Sequence, residues 1–390
     1  MNHVTPTRKR IQSVDVLRGL TVAAMILVNN PGSWGHMYAP LRHAEWIGLT
    51  PTDLIFPFFL FIMGVSIHLA LHKHVLHPTP QVVRHVIKRA ILLILIGWGI
   101  VWLSFFLRHL FKLGEDPSIS LGSRLAQSLW ALPHLRILGV FPRLGITYGI
   151  AALLTLYFRE RTLIRISVVA LVLYSLILLF GNGYVYGEEN ILSIVDRAIL
   201  TPAHMYSDNG IEPEGILSTI PATVQVLIGV LVGKRMMSAT EGDLRLVRLF
   251  TIGASLAVAG VILGWFMPMS KKAWTPSFVL TTCGLATLLL GWFIRLEELK
   301  IGTRVTRFFL PFGANALFTY LASTVLSLLF IFVRIPTAGG YTTVAGWGYR
   351  SLLAPVQIPE LASFLYSFLF MLLNWSLGLI LYRKKIFIKL

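Results

Sequence analysis

The chain reads as an all-α polytopic membrane protein of about ten transmembrane helices, and three observations predict this. Of its 390 residues, 55% are apolar and only 13% are charged, whereas soluble domains carry roughly 25% charged residues. The apolar residues fall in long blocks near the ~20 residues that cross a bilayer as a helix. Lys and Arg cluster between alternate blocks, as the positive-inside rule demands. So few charges cannot solvate a globular surface of this size, which excludes a soluble enzyme and a disordered chain. The single cysteine, Cys283, permits neither an internal disulfide nor a Cys-based metal site. A net charge of +17 on a soluble chain would suggest nucleic acid. Here the basic residues flank apolar blocks and point to topology and membrane lipid instead, with no nucleic acid.

The expected spans run, in order, over residues 14–28, 54–71, 90–107, 144–158, 164–180, 216–232, 249–267, 278–294, 308–333 and 361–382. The first opens on Asp15 and Arg18, which pair across one helical turn. No small-residue cleavage site follows it, so it reads as an uncleaved anchor. With the N-terminus placed in the cytoplasm, the cytoplasmic segments hold about twice as many Lys and Arg as the longer outward loops. The predicted orientation is therefore N-in and C-in. Within the outward loops, residues 125–138 around Trp130 form an amphipathic stretch suited to the interface. Residues 181–215 hold most of the outward acidic charge, including Asp208, Glu212 and Glu214, and 334–360 is rich in Gly, Pro and aromatics. No linker, low-complexity segment or strong internal repeat interrupts the chain, so residues 1–390 are expected to form one domain.

Polar residues gathered at the edge of a membrane domain signal function. The densest group comprises Asn29 and Asn30, then His43, Glu45 and Asp53, all at the outward end of the first helical hairpin. An imidazole can take a proton from a nucleophile, amides can hold a polarised carbonyl oxygen, and a carboxylate can fix the ring's tautomer. The same pattern also suits an interfacial histidine that merely caps a helix. His68, His72, His74 and His77 form a second group in which His68 and His72 share a helix face, but no carboxylate or cysteine accompanies them, and no metal site is expected. Arg84, Lys88, Arg89, Lys234 and Arg235 are topology signals that could also hold phosphates as point charges. Nucleotide-binding and Gly-x-Ser-x-Gly motifs are absent from the sequence.

These residues carry a family resemblance. Ser13, Asp15, Arg18 and Gly19, then Asn29, the run from His43 through Trp46, Gly48 and Thr50, and Asp53 through Pro57, with Phe61 and Gly64, resemble the heparan-α-glucosaminide N-acetyltransferase family. Its bacterial relatives, the NagX-like proteins of the transmembrane acyltransferase superfamily, share the pattern. Further similar segments are Arg136 to Tyr148, Pro213 to Thr219, Lys271 to Ser277, Gly313 to Asn315 and Tyr382 to Phe387.

The resemblance implies transfer of acetyl from cytoplasmic acetyl-CoA to the amine of a glucosamine across the membrane. It puts the family's active-site histidine on His43 and its neighbouring asparagine on Asn29. Pro142 stands where the family commonly has Gln. The lysosomal enzyme's large luminal N-terminal region has no counterpart here, which favours a free amino sugar as acceptor over heparan.

The resulting expectation is an acyltransferase of a bacterial inner membrane with His43, Asn29 and Asp53 as catalytic residues. Arg84, Lys88, Lys234 and Arg235 would hold acetyl-CoA, and Asn30, Glu45, Glu214 and Trp274 the sugar. Assembly is left open, a homodimer included. The rival expectation is an amino-sugar permease without chemistry, which ten spans and charged residues within helices would also suit.

Overall fold

The computed structural model describes residues 11–114, 116, 118–130, 135–206, 208–238, 242–337 and 340–388. The helices in chain order are α1 (Gln12–Val28), α2 (Ile55–Leu71), α3 (Pro80–Leu113), α4 (Leu121–Leu129), α5 (Val140–Tyr157), α6 (Glu160–Phe180) and α7 (Ile191–Leu200). There follow α8 (Thr219–Ser238), α9 (Gly242–Gly264), α10 (Pro276–Leu299), α11 (Thr303–Ala314) and α12 (Ala316–Phe332). A short antiparallel hairpin, β1 (Arg334–Thr337) and β2 (Gly340–Thr343), pairs Arg334 with Thr343. Then come α13 (Val344–Val356) and α14 (Pro359–Arg383).

Every expected span falls on a helix, but two differ in form. Among the described residues, eight helices are long and apolar enough to cross a membrane, and α11 with α12 supplies a ninth crossing only as a pair bent by 77°. The ninth stretch was expected to be continuous. It breaks because Pro311 lies inside α11 and Asn315 leaves helical geometry between the two pieces. The first span, α1, has 17 described residues, at the short end of the range for a crossing. Most of α1 is buried, with Leu17, Val22 and Ile26 fully enclosed, so it runs inside the bundle and tolerates Asp15 and Arg18 there.

Helix starts follow local chemistry. Thr79 caps α3, with Pro80 in the first turn, where a missing N–H costs nothing. Ahead of α2, Thr50 and Asp53 form a reciprocal capping box around Pro51. Helix α2 then crosses α8 with backbones nearly touching: a Cβ on Gly64 would strike the carbonyl of Val226, and one on Gly229 the carbonyl of Phe61. Without a hydrophobic driving force in lipid, such small-residue contacts are what hold helices together. The central cluster joins α1, α2, α5, α8 and α10 through Leu17, Phe61, Ala151, Val226 and Phe278.

The interhelical loops meet at one end of the bundle. Gly48 donates its amide to the Met269 carbonyl at 2.8 Å, and Trp46 its indole N–H to the Tyr184 carbonyl at 2.7 Å. Ile137 donates to His204, and Gly32 to Ser363 at the start of α14. These are the loops that the charge alternation puts on one side. The amphipathic stretch begins as α4, with Leu121, Leu125 and Leu129 exposed along one stripe. That stripe suits an interfacial helix. Residues 131–134 of the stretch lie outside the described residues.

Candidate active site

His43 stands in the loop between α1 and α2, where Asp53 orients it. Its Nδ1 lies 2.7 Å from Oδ1 of Asp53, and Asp53 is wholly buried while the imidazole is 43% exposed. The second carboxylate oxygen accepts three bonds: from the Ala44 amide at 3.0 Å, the Thr50 amide at 3.1 Å and the Thr50 hydroxyl at 2.9 Å. Thr52 further ties the loop down by donating to the Pro40 carbonyl. A carboxylate held on both oxygens makes the Nδ1–H tautomer the favoured one and leaves the Nε2 lone pair for chemistry.

A third group, unnamed among the expected site residues, completes this cluster. Nζ of Lys271 lies 3.2 Å from Nδ1 and 3.3 Å from Nε2 of His43, and 3.9 Å from Oδ1 of Asp53. The near-equal distances to both ring nitrogens put the ammonium over the imidazole and off the Nε2 lone-pair axis. Loss of water pushes its ammonium below the usual range, against the pull of Asp53 and Glu214. The tight turn before α10 sets its position. Ser270 donates to the Thr275 hydroxyl, Tyr174 to the Ala273 carbonyl, and Trp274 adopts a left-handed φ of 51°. A bulky residue in that region is strained and needs strong anchoring. Trp274 has it: the ring is 1% exposed, bonds Gln225 through its indole at 3.0 Å and packs edge-on to Phe56 and Phe278.

Trp274 was expected to touch the sugar. It lies in the core instead, under the guanidinium of Arg143 at 5.0 Å, and acts on the site only by shaping the lysine turn. Glu214 is nearly buried and pairs with Arg136 at 2.5 Å. Burial alone would raise its carboxyl, but Arg136, Arg143 and Lys271 together hold it below the ordinary range. Glu212 is enclosed and also bound to Arg136, and Asp208 is taken by Lys272 at 2.8 Å. The acidic loop is therefore largely neutralised from within; it is no open anionic surface.

Asn29 ends α1 and is exposed. Among the described residues no hydrogen bond joins it to His43. Asn30 turns back to the Ile26 carbonyl at 2.8 Å, and Glu45 is exposed.

The expected phosphate-holding residues are scattered. Arg84 and Lys88 point outward from α3 and are exposed, while Lys234 and Arg235 both pair with Glu160. The next residues along α3, exposed His85 and half-buried Arg89, border a cavity. Its volume is about 400 Å³, and Arg18, Ser66, Phe59 and Tyr148 also line it. Arg89 rests over the Tyr148 ring at 4.8 Å, and among the described residues its buried Nε has no hydrogen-bond partner. Arg18 reaches Ser66 at 2.7 Å and Asp15 at 2.9 Å. The C-terminal tail closes one wall: Asn315 accepts from the Ile388 amide and donates to the Ile386 carbonyl, both at 2.9 Å. Such a cavity, apolar with a few converging cations, is the usual form of a ligand site.

Arg89 was named among the basic residues that could hold phosphates but not among those expected to hold acetyl-CoA, since sequence alone does not show which side of α3 turns inward. For Lys271 a signal existed. Lys271 and Lys272 are a basic pair on the outward side, where the positive-inside rule leaves few such residues, and they open one of the segments carrying the resemblance. Among the described residues no group of three or more His, Cys, Asp or Glu could hold a metal ion.

Fold and site together define a multi-pass helical membrane protein with a carboxylate-oriented imidazole at one end of the bundle. More particularly, the chain belongs to the heparan-α-glucosaminide N-acetyltransferase catalytic family, which residues 10–261 match. It is 27% identical to the heparan-α-glucosaminide N-acetyltransferase of Homo sapiens over 83% of this chain and 54% of that protein. The Mus musculus enzyme of the same name is 25% identical over the same shares. The chain thus spans about half the length of the curated relatives it matches.

Proposed function

We propose that this protein moves an acetyl group from acetyl-CoA to the amine of glucosamine or another small amino sugar. The observation carrying the proposal is the His43–Asp53 pair: a partly exposed imidazole whose Nδ1–H is committed to a buried carboxylate, within the segment that matches the family. The attacking amine must be neutral and must lose a proton as it adds to the thioester. His43 Nε2 takes that proton, and Asp53 stabilises the imidazolium that results, a contribution of ~10²–10⁴ in rate.

The donor enters the cavity between α1, α2, α3 and α5 from the cytoplasmic side. Arg18, His85 and Arg89 suit its phosphates, with the Arg89 Nε, unpartnered among the described residues, as a ready donor. Phe59, on the cavity wall, lies about 9 Å along α2 from Asp53 at 1.5 Å rise per residue, so the thioester end would approach the dyad. The surroundings are read as a bacterial inner membrane with both termini in the cytoplasm, and residues 1–390 as one catalytic domain.

The test is direct. Purified protein in detergent, given acetyl-CoA and glucosamine, is expected to release free thiol and form N-acetylglucosamine. His43→Ala should abolish turnover yet keep acetyl-CoA binding, because the ring acts on the transition state more than on the ground state. A folded His43→Ala protein at near wild-type rate would remove His43 from the chemistry. Uptake of glucosamine into liposomes without acetyl-CoA would point to a permease instead.

A further inference from the structure

Lys271 sits where the reaction just proposed develops charge, and no part of that mechanism yet uses it. Its Nζ is 3.3 Å from His43 Nε2, the atom that must meet the acceptor amine. Among the described residues its hydrogen bonds go only to the imidazole. The nearest carboxylate oxygen, on Asp53, is 3.9 Å away and already engaged by His43. A rigid turn therefore holds the cation in place, with Asp53 its only ion-pair partner among the described residues. The turn is expensive to build. Trp274 keeps a left-handed backbone, and Tyr174, Gln225, Phe56 and Met269 all anchor the segment.

From this geometry, and resting on the acetyl-transfer reading above, we infer that Lys271 is a catalytic residue that holds the thioester oxygen as the acceptor amine adds. An amine within ~2.6–3.2 Å of Nε2 brings the carbon under attack beside the lysine. The lysine N–H groups then turn to the nearest new acceptor, the oxygen on the carbon under attack. As the N–C bond forms, the carbonyl π pair moves onto that oxygen and the amine proton moves to His43. When the pair returns, the C–S bond breaks and the thiolate leaves with the proton His43 carried. The cation matters at the middle of this sequence, when the oxygen is negative, and preorganised charge of this kind is usually the largest single contribution to catalysis.

The experiment uses the full chain in detergent with acetyl-CoA and glucosamine, and compares Lys271→Met with Lys271→Arg. Thermal unfolding first confirms that both variants are folded; Lys271→Gln replaces Met if it is not. The expected result is a kcat about 10²–10³-fold lower in the Met variant, with either KM changed less than about threefold, and an Arg variant at least about tenfold better than Met. A structural lysine would move stability or both KM values and would not be rescued by Arg in kcat alone. Three outcomes overturn the inference while leaving acetyl transfer standing: a Met variant within about threefold of wild-type kcat, equal losses in Met and Arg, or a loss confined to KM. A wild-type protein that releases no thiol from acetyl-CoA overturns both.

Discussion

At the scale of single residues, Asp53 is the group on which the site turns. It accepts four hydrogen bonds, one from the imidazole and three from the loop it caps. Asparagine has one acceptor oxygen, so Asp53→Asn must present its NH₂ either to His43 or to the loop amides. Facing His43, it forces the ring into the tautomer with Nε2 protonated, and the base is lost. The expected kcat is lower by about 10²–10⁴ with the KM for acetyl-CoA little changed. Facing the loop, it leaves buried amides unpaired at about 1–3 kcal/mol, visible as a lower unfolding midpoint. Steady-state kinetics beside thermal unfolding separate the two, and a variant unchanged in both would release Asp53 from either role.

At the scale of elements, the α2–α8 crossing fixes where that loop stands. Helix α2 begins directly after Asp53, and its contact with α8 depends on Gly64 and Gly229. Leucine at Gly64 would drive carbon into the Val226 carbonyl, backbone that cannot swing aside. Gly64→Leu is expected to cost about 1–3 kcal/mol as overpacking and to lower turnover, because α2 carries Asp53 with it. Gly99→Leu is the control. No atom lies within 4 Å of a Cβ at that exposed position of α3, so its melting curve should match wild type. Equal melting curves for both variants would show that the crossing has slack.

At the scale of the molecule, the prediction concerns sidedness. The loops containing His43, Glu214 and Lys271 meet at one end of the bundle, and the tail beyond α14 lies by the cavity at the other. The native chain is suited to labelling, since Cys283 is buried. A membrane-impermeant maleimide should label Glu45→Cys in right-side-out spheroplasts and Lys385→Cys only after permeabilisation. Both native positions are exposed. Labelling of both from one side would break the N-in, C-in alternation.

The sequence by itself determined the class of fold and the order of the membrane segments, and it offered Asp53 as a partner for His43. Each of these is local: hydropathy is a property of one stretch of chain, and Thr50, Pro51 and Asp53 build their turn within a few residues. It also contained Glu214, but not its partner. Only the tertiary structure decided that Trp274 is core, that the carboxylate of Glu212 is spent on Arg136, and that Arg89 faces a cavity while Lys88 does not. Lys271 reached His43 by the same route, through a contact across more than two hundred residues. Such meetings are set by how helices cross and which side of each turns inward, and in lipid an apolar helix looks alike from every side until its neighbours are in place.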